Sequence, residues 1–378
     1  MGFFTLYFPS LLRYLDVTKG KPKWRFSEFA AENAGFYQVT GQASRFKATQ
    51  PLLNLAAFKG ITLENHRSHF IQELPHRPLV LKASSTSTKG EKSRGRRSNY
   101  RKRKDLNQAK AHRLEADILR LNSFLDSFPL SGEGVHGGYI RVFNEGDLEG
   151  FNWNKGGRLY SQGDPSYQRL KEEKRVAMTI GGEAVVEIDL KASYLTILHG
   201  LIGLSFDPMQ DAYELKTLPP LRSSEGKDLR RWVVKQWAVV TLGHHSLHKR
   251  WPDNVIEDFA KLSGGSKALG KVYRIKDVQE AMAWKHPILN EWGDLPYSWA
   301  DLMFTEAEAV VGTMLELMDQ HQVPSLSVHD SLIVRKKDQA LAEEVLKRRY
   351  EGACGIKPAL EVTPGPNHHS ETTTTLAA

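Results

Sequence analysis

The chain has little cysteine and no long apolar run. Cys354 is the only cysteine among 378 residues, so an intrachain disulfide and a cysteine-rich metal site are both excluded. The 14 histidines show no zinc-ligand spacing, and no run reaches the roughly 18 apolar residues that span a bilayer. The N-terminus lacks the basic leading region and cleavage site typical of a signal peptide. These absences predict a soluble, cytoplasmic protein without a membrane partner.

Acidic residues are outnumbered by basic ones. The chain has 52 Lys and Arg against 44 Asp and Glu, for a net charge of +8 and a pI near 9.3. This balance suits a polyanionic partner, although charge alone indicates no more than nonspecific nucleic-acid binding. Hydrophobic residues make up 40% of the chain, which suffices for a sizeable core in two or three domains.

Two short segments each place an aspartate beside an apolar strand pattern. Asp189 lies in EIDLKASYLTIL at 187–198, and Asp330 lies in SLSVHDSLIV at 325–334. Carboxylates in such surroundings need a cation or strong donors to offset their desolvation. Mg²⁺ typically takes one or two carboxylates and completes its octahedron with waters and phosphates. The pair therefore indicates a metal centre for phosphoryl transfer; for either aspartate alone, capping of a helix or turn is an equal alternative.

Further motifs precede Asp189 in a specific order. The segment GGRLYSQGDPSYQ at 156–168 contains a Gly-Gly-Arg turn and an Asp-Pro break. Arg175 then opens RVAMTIGGEAVVEIDL, which predicts a strand, a Gly-Gly hairpin turn and a second strand. In order and spacing, GRLYSQ, DPSYQ and VVEIDL resemble the family A polymerases, which include bacterial repair DNA polymerases and, more distantly, single-subunit phage RNA polymerases. The resemblance extends over about residues 150–365.

The segment DLRRWVVKQWAVVTLGHH at 228–245 resembles the helix of the mobile fingers in that family. Arg231 and Lys235 are four residues apart, so a helix presents both cations on one face. The resemblance implies that they bind the phosphates of the incoming nucleotide and that Lys235 donates a proton to the leaving pyrophosphate. As in the family, helical patterns at 302–321 and 336–355 flank the His-Asp segment.

The resemblance also assigns the metal ligands and the nucleic-acid contacts. Asp189, Asp330 and the backbone carbonyl of Leu190 would bind two Mg²⁺ ions, with Mn²⁺ as a substitute. His329 would contact the primer end, and its alternative role is that of a core histidine. Arg158 would contact primer or template, and its alternative role is a generic phosphate contact. The predicted nucleic-acid contacts are Arg158, Gln168 and His329, together with Arg101, Lys102, Arg103 and Lys104 of a basic run.

The chain departs from the family pattern in the fingers helix. DNA polymerases of the family have an aromatic residue four positions after the lysine and a tyrosine eight positions after it, where this chain has Val239 and Gly243. Base stacking at these positions is therefore in question. His244 or His245 is an alternative stacking residue.

Two other departures bear on the sugar of the nucleotide. Ser331 follows Asp330, as in phage-type RNA polymerases, and this favours ribonucleotides. Tyr194 lies five residues after Asp189, where the family has glutamate or glycine, and it resembles the steric gate of family B polymerases and reverse transcriptases. A ring against the 2′-carbon leaves no volume for a hydroxyl, so Tyr194 favours deoxynucleotides. A core aromatic role for Tyr194 is the alternative.

The remaining sequence predicts the domain organisation. Between Lys89 and Arg113 there are eleven Lys or Arg residues against two acids, a composition typical of a flexible basic linker. On nucleic acid it would bind phosphates; a solvated linker with no fixed partner is the alternative. Within 26–61 we predict two short helices, the second opened by Thr49 and closed near Gly60. The predicted order is a small, mainly helical or winged-helix-like module at 1–84, the linker at 85–113, a reduced thumb-like helix and connection at 114–150, the palm at 151–365 with fingers at about 205–300, and a disordered tail at 366–378.

Together these patterns predict an α/β (α+β) fold, a right-hand palm with an antiparallel sheet and helical fingers. The predicted function is template-directed nucleotidyl transfer by a DNA polymerase or primase-polymerase of a plasmid, phage or integrated element. Its partners would be DNA template and primer, nucleoside triphosphates, and a helicase or other replication accessory protein. The alternatives are a primase or RNA polymerase that uses ribonucleotides, and a non-catalytic replication initiator with a degenerate palm.

The gate assignment generates a testable prediction. Replacement of Tyr194 by Ala or Gly should raise the incorporation of ribonucleotides relative to deoxynucleotides, because space opens beside the 2′-carbon. Primer extension with each nucleotide set measures this ratio. An unchanged ratio would remove Tyr194 from the gate role.

Overall fold

The computed structural model describes residues 15–18, 22–27, 35–41, 45–62, 65, 74–84, 97–98, 100–223, 225–244, 247–265 and 268–366. The chain divides into two units, one from residues 1–73 and 85–94 and the other from residues 74–84 and 95–378. Residues 367–378 of the predicted tail lie outside the described part. No helix in the described ranges is long and apolar enough to cross a bilayer.

The first unit contains more strand than the sequence predicted. Its elements are β1 (Leu15–Thr18), β2 (Pro22–Ser27), β3 (Gly35–Gly41), β4 (Arg45–Ala48) and α1 (Gln50–Phe58). β1 pairs with β4 and β2 with β3, both antiparallel. The expectation of a mainly helical module does not match these strands. The aromatic and β-branched residues of β3 favour an extended chain, while the predicted helix after Thr49 is present as α1.

The second unit contains two sheets. Its strands are β5 (Leu79–Lys82), β6 (Arg97–Ser98), β7 (Leu130–Ser131), β8 (Tyr139–Phe143), β9 (Gly156–Ser161), β10 (Thr179–Ile180), β11 (Glu183–Leu190), β12 (Ser325–Val328), β13 (Ser331–Arg335) and β14 (Leu360–Pro364). The smaller sheet has the order β6-β5-β8-β9. The main sheet has the order β12-β13-β11-β10-β7, with β14 also paired to β11, and its strand pairs are antiparallel.

Helices lie between and after these strands. They are α2 (Gln108–Asp126), α3 (Glu172–Arg175), α4 (Ser193–Ile202), α5 (Arg230–Leu242), α6 (Asp253–Leu262), α7 (Leu269–Val272), α8 (Ile275–Lys285), α9 (Trp299–His321) and α10 (Gln339–Cys354). α5 to α8 form a helical insertion between α4 and α9. The long helix α9 begins with a capping box, in which Asp301 accepts from the backbone N–H of Ser298 at 2.7 Å. The predicted α/β fold with an antiparallel sheet and a helical insertion is confirmed.

The hairpin before Asp189 forms as its sequence predicts. β10 and β11 are joined by Gly181 and Gly182, whose φ angles of +59° and +80° lie in the left-handed region. Glycine adopts this region without a steric cost, and positive φ at both turn residues matches the twist of a two-residue hairpin. The turn thus sends β11 back into the centre of the main sheet.

One hydrophobic core connects the main sheet to the helical insertion. Ile188 of β11, Leu195 of α4, Val233 of α5 and Leu302 of α9 are fully buried members of it. Close packing of such residues resists small displacements. The core therefore fixes the elements that position the candidate site relative to one another.

The boundaries of the second unit differ from the predicted ones. β5 pairs in parallel with β8, so residues 74–84 belong to this unit rather than to the N-terminal module. Residues 108–113 lie in α2, where the sequence predicted a flexible linker up to residue 113. Tyr100 is buried against Trp153, with ring centroids 5.2 Å apart. These partners are distant along the chain, so a local run of charges gave no indication of them.

A close contact between α4 and α10 yields a stability prediction. A Cβ added at Gly200 would lie 2.0 Å from the carbonyl oxygen of Cys354, so Gly200→Ala should destabilise the protein by about 1–3 kcal/mol. The matched control is Gly352→Ala on α10, where an added Cβ meets nothing within 4 Å. Since alanine favours helix, this variant should gain up to about 1 kcal/mol. Urea denaturation measures both; equal stabilities would contradict the proposed close approach.

Candidate active site

The two predicted metal-binding aspartates lie close together at the main sheet, Asp189 on β11 and Asp330 in the turn before β13. Asp189 is opposite Ser331 in the register of β11 and β13. Asp330 directly precedes Ser331, in the two-residue turn that joins β12 to β13. The backbone N–H of Leu190 donates to the carbonyl oxygen of Asp330 at 3.4 Å. Strand pairing therefore brings together two acids that are separated by most of the predicted palm in sequence.

Both aspartates line a cavity of about 490 Å³. The cavity is also lined by Arg158, Tyr194, Asp211, Tyr213, Glu306 and Glu361, and by residues 208–210 of the loop after α4. One face of α5 contributes Arg231, Lys235, Val239 and Gly243, which follow one another at intervals of one helical turn. The volume lies within the range of small-molecule sites, about 300–1,000 Å³. Carboxylates and cations thus line a single pocket.

The electrostatics of Asp189 indicate a site that attracts a cation. Burial, and next the negative charge of Asp330, raise the pKa of Asp189 to about 8, while the ammonium of Lys235 acts in the opposite direction. A divalent cation would offset the repulsion between the two carboxylates. Among the described residues no group of three or more His, Cys, Asp or Glu side chains forms a metal cage. Two carboxylates nevertheless match the number that Mg²⁺ commonly takes.

The two predicted phosphate-binding cations have different surroundings. Lys235 is exposed on α5, and its charge acts on Asp189. Arg231 forms an ion pair with Asp211 and lies 5.7 Å from the ring centroid of Tyr213. The side chains of Arg231 and Asp211 are 57% and 32% exposed. Ion pairs this exposed contribute little to stability, so an anionic ligand could replace Asp211 at Arg231.

Val239 and Gly243, the two positions at which the family A pattern has aromatic residues, line the cavity. Val239 is 54% exposed and lines the pocket with Gly243. His244 is not among the cavity-lining residues, and its Nδ1 lies 3.0 Å from the carbonyl oxygen of Val240. His245 lies outside the described residues. This face of α5 therefore leaves open space beyond Lys235, where the sequence resemblance to polymerases led us to look for a stacking ring.

Tyr194 lies in the cavity wall beside a buried ion pair. The Arg158 guanidinium contacts Glu306 through Nε at 3.1 Å and through Nη2, and it lies 5.7 Å from the ring centroid of Tyr194. Burial raises the pKa of Glu306, and Arg158 counteracts this effect. The sequence predicted a primer or template contact for Arg158, whereas its guanidinium is paired within the protein.

Two other residues that entered the sequence argument are held by internal hydrogen bonds. The side-chain oxygen of Gln168 accepts from the backbone N–H of Ser161 at 2.9 Å, and its amide donates to the carbonyl oxygen of Ser327 at 2.8 Å. The buried hydroxyl of Ser331 donates to Glu187 at 2.6 Å, and Glu187 accepts two hydrogen bonds from Arg175. Gln168 thus connects strands, and Ser331 does not line the cavity.

The other predicted nucleic-acid contacts differ in exposure and in whether they form ion pairs. His329 is exposed beside Asp330, and its φ of +56° lies in the left-handed region. Arg101 pairs with Glu115, and Arg103 pairs with Asp105. Lys104 is exposed, and the side chain of Lys102 lies outside the described residues. Of this set, His329 lies nearest in sequence to the paired aspartates.

Sequence reasoning missed several cavity-lining residues, among them the acids Asp211, Glu306 and Glu361 and the aromatic Tyr213. Glu306 had a detectable signal, because it interrupts the apolar face of α9 between Leu302 and Val310. Glu361 is opposite Asp189 in the register of β14, and its carboxylate lies 3.7 Å from Lys191. Such register contacts follow from strand pairing and have no local signature.

Comparison with known proteins gives limited similarity. No protein-family profile and no curated protein matches the chain. Among solved structures, the chain is similar to the "POL domain of Pol1 from M. smegmatis complex with DNA primer-template and dNTP", with a TM-score of 0.33 and 15% identity. The match covers 68% of this chain and 51% of the other, so the chain spans about half the length of that structure. The residues of the site must therefore be assigned from their own geometry.

The raised pKa of Asp189 predicts how stability depends on pH without metal. The folded pKa of about 8 exceeds the usual unfolded value, so folded protein retains a proton that unfolded protein loses between pH ~4 and 8. Stability should fall across this window by up to about 1.4 kcal/mol per pH unit. Asp189→Asn should remove this contribution, and Mg²⁺ should stabilise wild type more at pH 8 than at pH 6.

Denaturant titrations in chelator and in Mg²⁺ at several pH values measure these effects. The matched control is Asp319→Asn, since Asp319 is a surface acid paired with Arg120. Parallel pH dependences of wild type and Asp189→Asn would contradict the raised pKa. An equal gain from Mg²⁺ in both proteins would contradict a metal site at Asp189.

Proposed function

We propose that this protein is a template-directed nucleotidyltransferase that adds deoxynucleotides to a primer 3′-hydroxyl. The observation that supports this most strongly is the composition of one cavity. Asp189 of β11 and Asp330 of the β12–β13 turn line this cavity together with Arg231 and Lys235 on the cationic face of α5. A nucleoside triphosphate with divalent ions carries the complementary charges.

The aspartate pair suits Mg²⁺, with Mn²⁺ as a substitute. Asp189, Asp330 and the backbone carbonyl of Leu190 are the residues that would hold the metal. When bound, such ions lower the pKa of an attacking hydroxyl and stabilise charge on a leaving pyrophosphate. The chain's own contribution is to keep two carboxylates side by side in a partly buried site, where their repulsion favours cation binding.

The cations of α5 would bind the triphosphate. Lys235 is exposed and close enough to Asp189 for their charges to interact, so its Nζ can bind a phosphate oxygen near the acids and donate a proton to the leaving group. Arg231 would exchange Asp211 for a phosphate oxygen, because a guanidinium forms paired hydrogen bonds with phosphate. Val239 and Gly243 would leave room above the base rather than stack on it.

Two features favour deoxynucleotides over ribonucleotides. Tyr194 presents an aromatic ring to the cavity, where it would exclude a 2′-hydroxyl. In the sequence, a serine at position 331 favoured ribonucleotides. In the structure Ser331 is buried and its hydroxyl donates to Glu187. A primase or RNA polymerase therefore has less support than a DNA polymerase or primase-polymerase. A mobile-element origin and an accessory helicase remain proposals from the sequence resemblance alone.

The nucleic-acid contacts are proposed from exposure and charge. His329 is exposed beside Asp330 and is the side chain best available to contact the primer end. Lys104 is an exposed cation available for a phosphate. Arg158, Gln168, Arg101 and Arg103 already have partners within the protein, so their role would be to support the fold around the nucleic acid.

Open space on α5 favours one second candidate function. The exposed Val239 and Gly243, one helical turn further on, provide no ring that could stack on the templating base pair. A protein that binds nucleic acid without synthesis would not need such a ring. Such a protein would be a replication initiator with a degenerate palm. It would bind template tightly and extend no primer.

Primer extension distinguishes these functions. The assay contains a primed template or an unprimed single strand, deoxy- or ribonucleotides, and Mg²⁺ or Mn²⁺. Wild type should extend the primer, and Asp189→Asn and Asp330→Asn should each lower the rate by at least about 10³-fold, because each removes a charge on which metal binding depends. Asp319→Asn should retain wild-type activity, since Asp319 pairs with Arg120 at the surface.

A second set of variants tests the nucleotide site by comparing two adjacent arginines in the same assay. Arg231→Ala should raise the KM for the nucleotide, whereas Arg230→Ala should not, because Arg230 pairs with Asp228 and does not line the cavity. Equal extension by wild type and either aspartate variant would overturn the metal pair. Tight template binding without extension under any condition would favour the initiator.

A further inference from the structure

The guanidinium of Arg158 lies between a buried carboxylate and an aromatic ring. Its Nε and Nη2 both contact Oε1 of Glu306 on α9, and its central carbon lies 5.7 Å from the ring centroid of Tyr194 on α4. A guanidinium over a ring face is held by the ring's quadrupole. One side chain therefore connects β9, α4 and α9 at the cavity wall.

Stability alone is a weak reason for this ion pair. The side chain of Glu306 is 1% exposed and that of Arg158 is 16% exposed. Desolvation of two such charges commonly offsets their attraction, and apolar residues of similar volume often serve stability as well or better. Buried ion pairs can instead define one geometry, and this pair adjoins the pocket proposed for the nucleotide.

Tyr194 has few other polar restraints. It lies in the first turn of α4, where Ala192 at the N-cap has a φ of +48° and offers no side-chain cap. Among the described residues, none forms a hydrogen bond with the Tyr194 hydroxyl. The preceding backbone is fixed, since the Tyr350 hydroxyl donates to the carbonyl oxygen of Ser193 at 2.9 Å. The Arg158 contact is thus the polar interaction that orients the ring.

We propose that the Arg158–Glu306 pair is a positioning device that holds the Tyr194 ring in the cavity wall and thereby sets selectivity for the deoxyribose sugar. Glu306 fixes Arg158, and Arg158 fixes the ring face. Neither residue needs to touch the nucleotide. This inference rests on the proposed nucleotide site and extends it to residues beyond the gate itself.

The test measures sugar discrimination after the device is weakened. Glu306→Gln keeps the shape of the side chain but removes its charge, so Arg158 and then Tyr194 should become mobile. The value of kcat/KM for ribonucleotides should rise by about tenfold, because the ring no longer excludes the 2′-hydroxyl. General damage to the fold would lower kcat/KM for both sugars. The matched control is Glu308→Gln on the same helix, since Glu308 pairs with Arg141 outside the cavity.

A double-mutant cycle isolates the route through Tyr194. In a Tyr194→Ala background, Glu306→Gln should cause no further change in the ratio of kcat/KM values, because the group that it positions is gone. If Glu306→Gln does not fold, Arg158→Met combined with Glu306→Met removes both charges with similar volume, and it should show the same loss of discrimination. An additive effect, or a ratio equal to wild type in a folded variant, would overturn the proposal.

A binding measurement separates this proposal from the proposed reaction. Calorimetry with Ca²⁺ compares the Kd values of a deoxynucleoside and a ribonucleoside triphosphate without turnover. If wild type extends no primer but prefers the deoxy form, and Glu306→Gln loses that preference, the proposed activity fails and the positioning role stands. Equal preference in wild type and Glu306→Gln, or binding of neither nucleotide to wild type, would overturn the positioning role.

Discussion

The pairing of β11 with β13 is the constraint on which the candidate site depends. Ile188 lies opposite Leu332 in this register, and both are fully buried, so a slip by one residue would expose an apolar core. The same register brings Asp189 beside Asp330. Burial and mutual repulsion then raise the pKa of Asp189. The core thus holds the two acids side by side, and a bound cation would offset the repulsion between their charged forms.

The cations around this pocket differ in how firmly they are held. Arg158 is paired with the buried Glu306, where loss of the partner would leave an uncompensated charge in the protein. Arg231 is paired with Asp211 in a solvent-exposed contact that an anion can replace. Lys235 is exposed. Burial therefore separates a cation that is held within the protein from two that are exposed to solvent, although all three line one cavity.

Much of the fold was predictable because its signals are local. The Gly-Gly turn predicted the β10–β11 hairpin, and helical periodicity predicted α9 and α10 with small errors at their ends, while α5 was expected from the family resemblance. The four-residue spacing of Arg231 and Lys235 likewise predicted one helix face, and both line the cavity. The N-terminal unit was harder, because β3 and the helix signal near Thr49 occur close together, and β1 pairs with β4 across the intervening β2 and β3.

By itself the sequence determined the order of the elements, the helix faces, and the two apolar strand patterns beside which the aspartates lie, because backbone geometry and side-chain periodicity act over a few residues. Only the tertiary structure decided which polar groups are already paired. Glu306 meets Arg158 across 148 residues, Gln168 meets Ser327 across 159, and Ser331 meets Glu187 across 144. Such partners are chosen by packing, and burial then determines whether a charge supports the site or remains available to a ligand.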